Sequence, residues 1–311
     1  MEPLPLLLRE MLLFLLGKLR RLLQAVDVWI TRRAFAHPYF CPPANDRRRE
    51  EWKTFFRQLD AGHAGGRTYL ELHLERLVRT MMIVPPPGQT GRALELGCYM
   101  QMTPALALQL GYREVRGAYL GPAGKTENKI ATIRGREVFR CDVDLFDAER
   151  DRFPYPDNHF DCVLACEIIE HLARDPMHML VEIRRVLIDG GALVLTTPNC
   201  ASLGSVTRAL HGYQSPQIFA CYPHPDKAAG DGPHIREYTP FELNQTLTAA
   251  GFRTEMLFTD RIGARGEGTW TLDLLQRHGF DTRLRGEQIY CRARKDACLP
   301  VDRFPDFLYE R

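Results

Sequence analysis

The chain has 311 residues, 45% hydrophobic and 26% charged, with a formal net charge of +2. That length holds one large domain with extensions or two modest ones, and the composition is that of an ordinary globular protein. Near-neutral charge supplies no broad basic field, so nucleic acid is not an expected partner. The nine cysteines are scattered and contain no CxxC pair, which excludes zinc ribbons and thioredoxin-type motifs and makes a reducing, cytoplasmic setting the expectation.

The first 30 residues are leucine-rich but interrupted by Arg9, Glu10, Lys18, Arg20 and Arg21. The apolar run from Met11 to Leu16 falls far short of the roughly 20 residues that span a bilayer, and no small-residue cleavage site follows it. Helical spacing over 4–30 gathers Arg9, Gly17, Arg20, Gln24 and Asp27 on one face and leaves a wide apolar face opposite. Such a helix packs on its own domain, on an oligomer partner, or lies peripherally on the inner face of a membrane. Residues 35–66 read as loop around a short helix near Glu50 to Leu59. Residues 68–84 read as a second helix, stopped by three prolines and Gly88.

From residue 89 the pattern becomes strand, turn, helix, repeated. RALELG (92–97) is a strand ending in glycine, and TPALALQLG (103–111) a helix with Thr103 as cap. VRGAYLG (115–121) and EVFRCDV (137–143) are strands two and three, and FDCVLACEI (160–168) is a buried fourth. Asp175 then caps a helix ended by Gly190–Gly191, and ALVLTTPN (192–199) is strand five. Thr239 caps another helix before RTEMLFT (253–259) and EQIYCRARK (287–295), two closing strands. This alternation predicts an α/β, doubly wound, seven-stranded and mostly parallel sheet covered on both faces. The expected division is a helical extension over 1–88, a Rossmann-like domain over 89–296 and a tail over 297–311.

In such sheets ligands bind beyond the carboxyl ends of the strands. The segments ALELGC, FPYPDNHFDCVLACEIIEHL, LIDGGALVLTTPN and REYTPFELNQTLTAAGF resemble the class I S-adenosylmethionine-dependent methyltransferases, over roughly residues 90–295. The resemblance implies S-adenosylmethionine as cofactor. It assigns Glu95 and Gly97 to the turn beside the cofactor's methionine part, and Asp142 with Val143 to the adenine. Ala165, Cys166 and Glu167 line the methyl-transfer site. Two departures stand out: the turn reads GCYMQMT where the family has further glycines, and Tyr119 stands near the place of the acid that holds the ribose.

EIIEHL (167–172) places Glu167, Glu170 and His171 at i, i+3 and i+4, one face of a helix. From spacing alone the cluster opens a helix, where carboxylates suit the dipole, or forms an acid/base pair, or binds metal. The small-RNA 2′-O-methyltransferases, and more distantly the ubiquinone-pathway O-methyltransferases, resemble this chain in pairing such a segment with TPN after strand five. In the RNA enzymes a later histidine also precedes an aromatic–Thr pair, here His234 before Tyr238–Thr239. That resemblance implies a divalent cation, magnesium or manganese, on Glu167, Glu170, His171 and His234. A cation lowers the pKa of a hydroxyl it touches; without one, His171 or His234 is a general base. The expected acceptor is a hydroxylated small molecule or glycan, held by the loop between Asn199 and His234. The other functional class is a catalytically silent binding or scaffold protein, which the altered turn and the missing ribose acid favour.

Overall fold

The computed structural model describes Met11, residues 14–23, Val26, and residues 45–60, 66–212, 233–260 and 269–310. The remainder of the expected 4–30 helix, the middle of the 199–234 loop and the start of RGEGTW (265–270) lie outside the described residues. The chain divides into two compact bodies, Pro38–Gly268 with Arg283–Arg311, and Met1–His37 with Thr269–Thr282. The larger body carries the sheet.

Its elements in chain order are α1 (Asp46–Gln58), α2 (Gly66–Ile83), β1 (Arg92–Leu96), α3 (Met102–Leu108), β2 (Glu114–Tyr119), β3 (Lys125–Ile133), β4 (Arg136–Leu145) and β5 (Phe160–Cys166). They continue with a one-turn 3-10 helix (Ile169–His171), α4 (Pro176–Val186), β6 (Leu187–Pro198), α5 (Leu203–Leu210), α6 (Pro240–Ala249), β7 (Phe252–Asp260) and, after α7 (Thr269–Arg277) of the smaller body, β8 (Gln288–Lys295). The strands form one sheet in the order β3-β4-β2-β1-β5-β6-β8-β7. The five from β4 to β6 run parallel, while β3, β8 and β7 pair antiparallel.

The α/β class is as the alternation predicts, with eight strands in place of seven. The additional strand is β3, whose sequence KTENKIATI is mostly exposed. An edge strand that buries one residue has no hydrophobic alternation to announce it. It pairs with β4 from Lys125↔Leu145 to Ile133↔Arg136, so a ribbon stands between β2 and β4 where a crossover helix would otherwise lie.

Alternation along the central strands feeds two cores. Leu94, Leu96, Val163 and Ala165 face α4 and α6, against Met179, Leu180, Ile183, Leu243 and Leu247. Ala93, Cys162 and Leu164 face the other way, against Trp52 and Phe56 of α1, Leu74, Val78 and Met81 of α2, and Leu106 of α3. Helices α1 and α2, assigned from sequence to an extension, are therefore half of one core, and residue 88 is not a boundary between bodies. The reason is visible in α1, where Trp52, Phe55 and Phe56 are all buried and Trp52 stacks on Phe56 at 6.1 Å. The sheet begins where Asp161 gathers the backbone N–H groups of Gly88, Thr90, Gly91 and Arg92.

Asp175 caps α4 as its sequence predicts, accepting from His178 N at 3.1 Å, with Pro176 next. The carboxylate also pairs with Arg303 and accepts the Tyr309 hydroxyl at 2.6 Å, which locks the C-terminal segment onto α4. Replacing Asp175 by Ala should destabilise the protein by about 2 kcal/mol in denaturant titration, about half of it from the cap. Asp175→Asn, which still caps, should recover that half.

Candidate functional site

The turn after β1 lies at the carboxyl end of the sheet. Gly97 holds φ at +66°, and a Cβ there would stand 3.3 Å from Ile168 Cδ1, so a larger residue would be strained in conformation and crowded against Ile168. Met100 is left-handed as well, at φ 60°. Glu95 is buried, and its Oε2 accepts from Thr103 N at 2.8 Å. This carboxyl supplies the cap that Gln101, at the N-cap of α3, does not make. Burial pushes the Glu95 carboxyl well above the usual range. Beside the turn the Tyr99 and Tyr119 hydroxyls lie 3.1 Å apart, and Tyr69 of α2 closes on Tyr99 at 5.7 Å between rings.

The remaining residues expected at the cofactor divide. Cys166 is half-buried at the end of β5, while Ala165 is fully buried in the core facing α4 and α6 and Val143 in a small cluster with Cys98 and Cys141. Asp142 sits inside β4, because pairing with β2 carries that strand on to Leu145. Its carboxylate is engaged by Arg116 at 2.9 Å and Asn128 at 3.0 Å. Two residues that sequence reasoning missed lie past the strand ends, where ligands of such sheets bind: Leu120 after β2, 70% exposed, and half-buried Asp147 after β4. The available signal was position, since each directly follows its strand's last inward-facing residues.

EIIEHL does not form the predicted helix face. Glu167 has φ 56°, and only Ile169–His171 makes a 3-10 turn, so helix-opening charge is not its role. Glu167 turns toward α2, pairing with Arg76 at 2.8 Å. Its other oxygen accepts from Thr196 and Gln288, each at 2.7 Å. Arg76 in turn donates to Tyr69 at 2.9 Å. Arg76 and Gln288 carry no sequence signal.

Glu170 points the other way. It is completely buried, and Thr197 donates to its Oε2 at 2.9 Å, but its Oε1 has no hydrogen-bond partner. Burial, followed by the nearby Glu167 charge, pushes this carboxyl well above the usual range. The Glu170 carbonyl accepts from Ile235 N at 2.7 Å and Arg236 N at 3.1 Å, and Tyr238 bridges to Asn199. Those main-chain bonds bring in His234. One ligand atom each from Glu170, His171 and His234 lies within 4.8 Å of the others, and the two imidazoles meet edge to face at 4.9 Å. His171 Nδ1 bonds the Pro233 carbonyl at 3.2 Å, and His234 Nδ1 bonds Glu237 at 3.0 Å. Both contacts place the neutral ring's lone pair on Nε2, as the outer partners of metal-binding histidines do. An orphaned buried carboxylate oxygen beside two such rings fits a divalent cation; Glu167, committed to Arg76, is not part of the group.

Sheet order and crevice define a doubly wound α/β protein with its site beyond the carboxyl ends of β1, β2, β5 and β6. A family model described as a methyltransferase domain matches residues 94–195, so the segment from β1 into β6 is of methyltransferase type. Among solved structures, the chain is similar to an S-adenosylmethionine-dependent methyltransferase from Archaeoglobus fulgidus, with 17% identity over 73% of this chain and 99% of that one, at a TM-score of 0.45. It is similar to one from Methanosarcina mazei, with 14% identity over 68% and 95% at a TM-score of 0.43, and to one from Mesorhizobium loti, with 14% over 72% and 97%, also at 0.43. No curated protein matches the chain in sequence.

The buried Glu170 makes stability depend on pH. A carboxyl whose pKa rises on folding lends stability below its ordinary value of 4.5 and loses it as pH climbs through the raised value. In chelator, the wild type should therefore lose stability relative to Glu170→Gln as pH rises above the ordinary carboxyl range, read as a falling melting temperature. Parallel melting curves for the two proteins would remove Glu170 as the source.

Proposed function

We propose that the protein is an S-adenosylmethionine-dependent methyltransferase that methylates a hydroxyl of a small molecule or glycan, assisted by a divalent cation on Glu170, His171 and His234. The carrying observation is the convergence of His234 with Glu170 and His171, one ligand atom of each lying within 4.8 Å of the others. Two imidazoles and one carboxylate suit manganese, iron or zinc better than magnesium. When bound, the cation lowers the pKa of an acceptor hydroxyl and orients it. The sulfonium of the cofactor supplies an electrophilic methyl carbon.

The chain's own residues then have separate tasks. Gly97 lets the backbone approach the cofactor, Leu120 offers an apolar plane, and Asp147 an acceptor for an amino group. Tyr119, hydrogen-bonded to Tyr99, meets the ribose with a hydroxyl in place of a carboxylate. Glu237 holds the proton of His234 on Nδ1, so Nε2 faces the reaction as ligand or, without metal, as base. Arg76 keeps Glu167 out of the ligand set.

The smaller body supports a membrane role for the N-terminal helix. Residues 14–23 are helical, and Phe14, Leu15, Leu16, Leu19, Leu22 and Leu23 are all exposed. Among the described residues no helix is long and apolar enough to cross a membrane. Lys18, Arg20 and Arg21 without any acid from Met11 to Val26 suit an anionic lipid surface.

Calorimetric titration should show S-adenosylmethionine binding that Gly97→Val weakens at least tenfold, about 1.4 kcal/mol; unchanged affinity in that variant would remove the cofactor assignment. His234→Ala should lower manganese or zinc affinity and turnover while leaving cofactor binding intact, and turnover that survives a strong chelator would remove the metal. The full chain should float with phosphatidylglycerol vesicles and a chain lacking residues 1–30 should not; a dimer that dissociates on the same deletion would assign the helix to self-association instead.

A further inference from the structure

Three sulfur atoms meet under the turn after β1. Met100 Sδ lies 3.8 Å from Cys98 Sγ and 3.7 Å from Cys141 Sγ and accepts from both thiols. Two come from the turn, where Met100 has a positive φ of 60°, and the third, Cys141, from the middle of β4. A left-handed methionine is uncommon and marks a place where surrounding contacts dictate the backbone. Opposite it, Gly117 of β2 has no side chain, and a Cβ there would stand 2.8 Å from Cys98 Sγ and 2.9 Å from Val143. The Cys98 thiol thus fills the space that a side chain on β2 would take.

Access exists as well. A cavity of about 490 Å³ is lined by Cys98, Met100, Tyr119 and Lys129 on one side and by Phe56 and Arg67 on the other. Cys98 and Cys141 are themselves 1% and 6% exposed, and the cavity reaches the group at Cys98 and Met100.

We propose that Cys98, Cys141 and Met100 form a binding site for one soft, singly charged cation of the copper(I) class. Thiolate and thioether donors select such an ion over harder ones. Met100 Sδ, 3.8 and 3.7 Å from the two thiols, is close enough to share an ion with each, since two sulfurs at ~2.3 Å from one metal lie at most about 4.6 Å apart. Binding exchanges two thiol protons for the cation and leaves one net negative charge. The neighbouring oxygens are the Thr103 hydroxyl, 3.5 Å from Cys98 Sγ and 3.7 Å from Met100 Sδ, and Glu95, whose Oε2 accepts the Thr103 N–H. This site is separate from the nitrogen–oxygen group at Glu170 and does not depend on the methyltransferase reading.

The test uses the full, reduced chain, titrated anaerobically with copper(I) against a bathocuproine competitor. One equivalent should be retained, with a near-ultraviolet sulfur-to-copper band and an X-ray absorption shell of three sulfurs at about 2.2–2.3 Å. Cys98→Ser and Cys141→Ser should each weaken retention roughly a hundredfold, since even supporting partners of a ligand are worth roughly 10–100-fold. Met100→Leu, which conserves volume and so keeps the fold, should weaken it about tenfold and leave two sulfurs in the shell. Failure of the folded wild type to retain copper would show apolar packing only. Retention untouched by all three substitutions would place the ion on other thiols, such as exposed Cys298. Either result overturns the proposal.

Discussion

The ion pair between Arg76 and Glu167, 2.8 Å long with both side chains largely buried, holds the carboxyl end of the sheet in its observed form. It joins α2 to the residue that directly follows β5. Glu167 adopts φ 56°, a conformation that costs a non-glycine residue of order 1 kcal/mol and persists because Arg76, Thr196 and Gln288 all engage its carboxylate. Removing the arginine would leave a buried charge without its counterion, the costly way to break such a pair. The turn that results sets Ile168 against Gly97 and presents Glu170 and His171 to the opposite side.

Two carboxylates three residues apart thereby acquire different chemistry. Glu167 meets a guanidinium, an amide and a hydroxyl. Glu170 meets one hydroxyl and two imidazoles where it is fully buried, and burial raises its pKa. Opposed environments for neighbouring acids are a common mark of functional sites. The main-chain bonds from Ile235 and Arg236 to the Glu170 carbonyl mean that His234 is held by the same residue it faces, so the group is preorganised by backbone and not by side-chain contact alone.

The cofactor end is built differently from the pattern its sequence resembles. The β3–β4 ribbon occupies the place of a crossover helix, Tyr119 occupies the place of an acid, and Cys98 with Met100 fills the turn with sulfur. These changes fall on one side of the crevice, along β2 and β4, whereas β5 and β6 with their Glu170 group keep the expected order. Tyr69, Tyr99 and Tyr119 form a chain of rings from α2 across that side, and Tyr69 is bonded to Arg76. Helix α2 thus touches both halves of the site.

Periodicity and punctuation in the sequence determined the parallel centre of the sheet, the caps at Asp175 and Thr239, and the gathering of Glu95, Gly97 and the EIIEHL segment at one edge. Those features are local: a cap is a residue type next to a helix, and a buried strand is an apolar run. Tertiary structure decided the rest, because it depends on contacts between residues far apart in the chain. Spacing placed Glu167 with Glu170 on a shared helix face, but a buried arginine 91 positions earlier, Arg76, turned it away. Strand β3 was illegible because an exposed edge buries too little to write a pattern. Asp142 looked like a strand end until pairing with β2 carried β4 three residues further. The meeting of His234 with Glu170 and His171, suggested by resemblance and not by spacing, was settled by two main-chain hydrogen bonds across 65 positions, and backbone bonds of that kind leave no mark on side-chain identity.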